Sequence, residues 1–229
     1  MELNQVSALL ESAPMKLETG FERLESGVLH VACRTDMHGC SGEMFEWWFR
    51  SRPDTQRYIW WHPVDHVASH WIEGTADTHI GSIHLAEEYF SGLPSQKLAI
   101  QFRHPHEFFE PDGYERAKRD KRVSAAICAR ISPEEGLSKR DNEGRLLGGR
   151  LLHIGRDTSW GLVLRSHFYL GQDLVSQGLG AETITEMVPE GFGQALLMHC
   201  YNEFTFLSRF LPSLYVGENR DKLSVGTPW

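Results

Sequence analysis

Toward the end of the chain the apolar residues Phe192, Leu196, Phe206 and Phe210 recur at helical spacings between Glu190 and about Leu214. His199 and Glu203 stand in the same stripe, so the pattern predicts one long amphipathic helix that carries both. Pro189 and Glu190 suit its first turn, and Gly217 is expected beyond its end. The middle of the chain follows a shorter period. Ile80 to Phe90 alternates loosely, while Leu98 to Phe102, Val123 to Ile131, Leu151 to Ile154 and Gly161 to Leu170 are rich in β-formers bounded by Gly, Pro and Asp. Tyr58 to Trp61 reads as a short aromatic strand. Leu3 to Ser12 suits a short helix, and the charged, glycine-rich stretch Pro133 to Gly149 an exposed loop. Strands followed by a long helix predict an α+β domain: a curved antiparallel sheet around the C-terminal helix, with an internal cavity between them. No repeat or flexible linker divides the chain. Residues 1–229 are therefore expected to form a single domain, with 1–43 an N-terminal extension and first elements and 44–214 the core.

Composition narrows the function. Twenty-three basic and 31 acidic residues leave a formal charge of −8, which argues against nucleic acid or an anionic membrane as partner. No apolar run reaches the roughly 20 residues that span a bilayer. The first residues, Met1 to Asn4, show no signal peptide. Cys33, Cys40, Cys128 and Cys200 form no C-x-x-C pair and read as reduced thiols. A cytoplasmic protein is expected. The 12 histidines draw attention because several sit among aromatics, at Phe45 to Phe49 and Tyr58 to Pro63. Such a neighbourhood suits an apolar cavity with a few convergent polar groups.

His199 and Glu203, four residues apart on a helix, lie on one face and close enough to bind one ion. A glutamate inside an apolar stripe is costly to bury unless it is paired or coordinates a metal. The alternative is an internal His–Glu hydrogen bond with no ion. His66, four residues after His62 and past the Pro63 turn, would complete a His₂Glu set of the kind that catalytic zinc uses. His62, directly before Pro63, would shape the turn. A further carboxylate is available at Glu87 or Glu88. Alternation sends the two to opposite faces, with Ile83 and Leu85 beside Glu87 and His84 beside Glu88, and composition does not choose between them. His153 is a candidate proton donor. Tyr58 and Tyr169 are candidate hydrogen-bond donors to a substrate, and Trp61, with Trp47 and Trp60, a wall for a flat ligand. No G-x-S-x-G elbow, P-loop or G-x-G-x-x-G opens a helix. Cys200 turns about 100° away from His199 and is not expected to be a nucleophile. Two other readings use the same residues: a binding module without turnover, and a non-haem iron oxygenase with two histidines and one carboxylate.

Glu46-Trp47-Trp48-Phe49, the Trp-His-Pro-x-x-His segment ending at His66, and His199-x-x-x-Glu203 together resemble the family of 2,4-diacetylphloroglucinol (DAPG) and phloretin hydrolases. The likeness runs from Met44 to Leu214. It implies a helix-grip fold of the START/Bet v 1 kind and a Zn²⁺ held by two histidines and two glutamates. The implied activity is hydrolysis of the C–C bond between an acyl group and a phenolic ring. Carried over residue by residue, the ligands fall on His66, His199, Glu203 and one of Glu87 and Glu88, with Tyr58 touching the substrate, and Tyr58, His153 or a zinc-bound water would protonate the ring carbon. Ser69 departs from the pattern, standing where the family has an amide side chain. A small acylated phenol is the expected partner, and a homodimer stays open.

Overall fold

The computed structural model describes residues 1–90 and 93–221. The end of the 1–229 span, residues 222–229, therefore lies outside the described residues. Eight strands form one antiparallel sheet: β1 (Gly20–Arg23), β2 (Leu29–His38), β3 (His66–Ile72), β4 (Ile83–Glu88), β5 (Gln96–Arg103), β6 (Ala125–Pro133), β7 (Gly149–Asp157) and β8 (Gly161–Leu170). Their order is β1-β2-β8-β7-β6-β5-β4-β3. The helices are α1 (Gly42–Arg50), α2 (Thr55–Trp61), α3 (Pro111–Arg119), α4 (Gln172–Ser176), α5 (Ala181–Met187) and α6 (Glu190–Glu218). The segment from β2 to β3 carries the chain across to the other sheet edge through α1 and α2. Helix α6, about 44 Å long at 1.5 Å per residue, packs against β1, β2, α1 and α2. The result is the expected α+β helix-grip architecture, a curved sheet around a long C-terminal helix.

Both faces of the central strands are covered, which explains why their hydrophobic pattern is nearly continuous. Inward, Val31, Ile127, Leu151 and Phe168 join Phe204, Leu207 and Leu211 of α6. Outward, Ala126, Leu152, Ile154 and Tyr169 pack under Val6 and Leu9 of the 3-10 helix Leu3–Leu10, Tyr114 of α3 and Phe109 just before α3.

Strand β8 occupies the residues its pattern predicts, and α6 begins where expected. Gly217, expected outside the helix, falls in its last turn. The buried seam of α6 also runs through Cys200, Phe204, Leu207 and Leu211, with Phe192, Phe206 and Phe210 at its half-buried flank. Tyr58 to Trp61 is not a strand. It is the end of α2, because the Asp54 side chain accepts the Arg57 N–H at 2.9 Å and caps the first turn, which outweighs the β preference of the aromatics. The residue before Pro63 then stops the helix. The 133–149 connection is mostly irregular, yet Leu146 within it is fully buried.

Candidate metal centre

Three parts of the chain converge at one end of a cavity of about 690 Å³ between sheet and α6. The first is the α2–β3 corner. The Tyr58 carbonyl, at the open end of α2, accepts the His66 Nδ1–H at 2.8 Å. That bond fixes the tautomer and turns the Nε2 lone pair inward. The ring lies flat on Tyr58, centroids 3.7 Å apart. A β-bulge at Val67 breaks the register between His66 and Ala68, so His66 comes opposite Glu88 while Ala68 faces Glu87. Without the bulge, alternation would place Val67 inward and His66 outward. The extra residue re-aims the imidazole.

The second part is the end of β4. Glu88 is buried and points inward, accepting the Tyr58 hydroxyl. Glu87 turns outward to Ser95 (3.0 Å) and Lys97, so of the two sequence candidates only Glu88 reaches the centre. The third part is α6, where His199 and Glu203 sit one turn apart on the buried seam. His199 donates from Nδ1 to Asp65 Oδ2 at 3.0 Å, which again leaves Nε2 for the centre.

The ligand atoms are spaced as an ion would need. His66 Nε2 lies 3.6 Å from Glu88 Oε2 and 3.9 Å from Glu203 Oε2, and His199 Nε2 lies 3.5 Å from Glu88 Oε2. Two bonds of about 2.1 Å at a tetrahedral angle put ligand atoms about 3.4 Å apart. His66, His199 and Glu203 form a buried group able to hold a metal, and His66 Nε2 is buried without any hydrogen-bond partner. In a second grouping, His62–Asp65–His199, Asp65 is engaged by His199 at 3.0 Å, while His62 Nε2 is buried without a hydrogen-bond partner. His62 Nδ1 accepts the Asp65 N–H at 3.1 Å, so its proton sits on Nε2, 3.4 Å from Asp65. That imidazole holds the turn.

Charge points the same way. Burial drives the His66 pKa down to about 3, so the ring is neutral. Burial also pushes Glu203 well above the carboxylate range, with His199 opposing it and Glu88 adding to it. Glu88 goes the other way: against the cost of burial, the His199 charge, helped by the Tyr58 hydroxyl, holds it at about 2. His199, against the same cost, is raised to about 10 by Glu88 and Asp65. Two carboxylates in one buried site cannot both ionise cheaply without a cation between them. The donor set of two imidazoles and two carboxylates fits a divalent metal.

The other candidates divide between the cavity and elsewhere. Tyr58, Trp61 and His153 line the cavity. His153 places Nδ1 against Ser166 Oγ at 2.8 Å and packs edge-on to Phe204, and burial lowers its pKa to about 3. Tyr169 does not line it. Its ring lies on the outer face of the sheet, stacked on His30, because both faces are buried and alternation gives the cavity to Phe168 instead. The tryptophan wall shrinks as well: Trp60 is exposed and Trp47 packs on Tyr215. Asp65 and His84 were missed. Asp65 gives no periodic signal, and His84 shows in the sequence only as a neighbour of Glu88 on its strand face.

The family profile described as DAPG hydrolase PhiG domain matches residues 1–216. The chain belongs to that family. Two 2,4-diacetylphloroglucinol hydrolases, from Pseudomonas sp and Pseudomonas protegens, are each 28% identical over 234 residues, covering 93% of this chain and 76% and 72% of theirs. A phloretin hydrolase of Eubacterium ramulus is 26% identical over 216 residues, covering 87% of this chain and 72% of its own. All three relatives are named as hydrolases.

Proposed function

We propose that this protein is a zinc-dependent hydrolase that cleaves the C–C bond between an acyl group and a phenolic ring, releasing a carboxylic acid and the free phenol. The observation that carries the reading is His66 Nε2, a buried lone pair with no partner, facing two glutamates and a second inward imidazole. Family membership supports the chemistry. Zinc held by His66, Glu88, His199 and Glu203 would supply a Lewis acid for the ketone oxygen and acidify a bound water. Four protein ligands also count against the iron-oxygenase alternative, which needs open positions.

The protein's own groups supply the rest. Water adds to the acyl carbon, the ring–acyl bond breaks, and its electron pair passes to the ring carbon, which must gain a proton. Tyr58 stays protonated, because burial and the Glu88 charge beside it raise its pKa, so it is held as a donor at the ligand end of the cavity. His153, neutral and held by Ser166, lines the same cavity and would relay the proton to the ring carbon. Trp61, Phe49 and Phe102 give the cavity the apolar walls a flat ring needs. The four cysteines are buried and free, in keeping with a cytoplasmic setting, and no helix among the described residues is long and apolar enough to cross a membrane. The test is metal analysis of protein purified without added zinc, alongside release of free acid from acylated phenols. About one equivalent of zinc with acid release supports the reading. Less than about a tenth of an equivalent, with H199A/E203A unchanged in thermal stability, would sink it.

A further inference from the structure

The cavity holds a second buried polar group that the mechanism leaves unused. His84 on β4 is 4% exposed and lines the cavity on the Glu88 face of its strand. Its tautomer is fixed by a chain of contacts. Ser69 Oγ lies 2.7 Å from the Pro53 carbonyl oxygen, a pair that requires the serine hydrogen between them. Ser69 Oγ can then only accept from His84, 2.9 Å away, so the His84 proton is on Nε2. Nδ1 is left as an acceptor. The ring is clamped flat against Trp71, centroids 4.6 Å apart, and burial lowers its pKa to about 4, so it stays neutral.

Position says what it would accept from. Tyr58 stacks on the metal-ligand side at His66 (3.7 Å) and meets His84 edge-on (5.0 Å). His84 thus stands one aromatic ring's width from the metal ligands, beside Trp71 and Phe102, which stack at 5.4 Å. An aryl ketone whose carbonyl oxygen lies at the ligand end reaches that depth with the far edge of its ring. A pinned acceptor at the end of an apolar slot rejects a ring that offers it no donor, because the nitrogen is then desolvated and unpaired. We propose that His84 is a specificity-determining residue that accepts a hydrogen bond from a ring hydroxyl para to the acyl group. This rests on the aryl-ketone reading above.

The test compares 2,4-dihydroxyacetophenone with 2-hydroxyacetophenone, which lacks only the para hydroxyl. Zinc-loaded wild type is expected to favour the first in kcat/KM by about five- to tenfold. His84→Phe keeps a ring on Trp71 and removes the acceptor, so the two ketones should become equivalent. Ser69→Ala frees the histidine tautomer without touching the cavity wall and should narrow the preference. Absence of a preference in wild type, or its survival in His84→Phe, overturns the proposal, and the wild-type arm decides even if that variant fails to fold. If wild type hydrolyses neither ketone, the catalytic reading fails on its own. Binding of the same two ketones, followed by quenching of tryptophan fluorescence, then shows or denies the His84 preference separately.

Discussion

The two faces of the sheet both bury histidines, and they treat them differently. On the outer face, His30 donates from Nδ1 to Glu22 at 2.9 Å, accepts at Nε2 from His167 Nδ1 at 2.9 Å, and stacks on Tyr169. Nearby, Arg150 and Asp173 close a two-pronged ion pair, and Arg130 bonds to Glu107. Apart from the Tyr169 hydroxyl, which is buried without a partner, these groups satisfy one another. On the inner face, His66 and His199 each spend one nitrogen on an orienting partner and aim the other at two carboxylates. A polar cluster that pairs internally stabilises the fold, whereas one that aims two imidazole nitrogens and two carboxylates at one point is suited to a bound cation.

The largest expected effect separates the two faces outright. His199→Ala with Glu203→Ala should abolish acid release and zinc retention, a loss above about a thousandfold, while His167→Phe should leave zinc stoichiometry at one. Next comes stability. Zinc at a thousand times its dissociation constant should add about 4 kcal/mol to the wild type, removable with a chelator and visible in thermal melts. The His167→Phe variant should lose about 1–3 kcal/mol equally with and without zinc, and a zinc-dependent loss there would break the comparison.

A smaller effect concerns Asp65. Replacing it with Ala removes the acceptor that orients His199 and should weaken zinc affinity by about 10- to 100-fold, measured by chelator competition. Asn, which keeps an acceptor oxygen, should recover part of that. The smallest is a slope. Burial lowers His79 and His84 to about 4 and His153 to about 3. Each is neutral in the fold while the unfolded chain titrates near 6.5. Between about pH 4 and 6.5 the unfolded state therefore binds more protons, and metal-free protein should lose about 1.4 kcal/mol per pH unit per histidine as pH falls. Denaturant titrations across that range check it, and a flat profile would contradict the burial of these rings.

Much of this was legible in sequence because its signals are local. The four-residue spacing of His199 and Glu203 needs only a helix, and β8 is bounded by Gly161 and Gly171. Tyr58 to Trp61 misled because its aromatics favour strands, while the cap that decides for helix is the single residue Asp54. The choice of Glu88 over Glu87 depends on the bulge at Val67 in the neighbouring strand. Tyr169 was lost to the cavity because a sheet covered on both faces hides which parity points inward. Asp65 reaches its partner across 134 residues, and no pattern within either segment reports that pairing.

X-ray absorption at the zinc edge of the loaded protein tests the central claim most directly. The arrangement of His66, Glu88, His199 and Glu203 predicts a shell of nitrogen and oxygen only, at about 2.0–2.2 Å, with imidazole scattering from two rings. A sulfur at about 2.3 Å, which would bring in Cys200 or Cys33, or a shell with no imidazole signature, would contradict it.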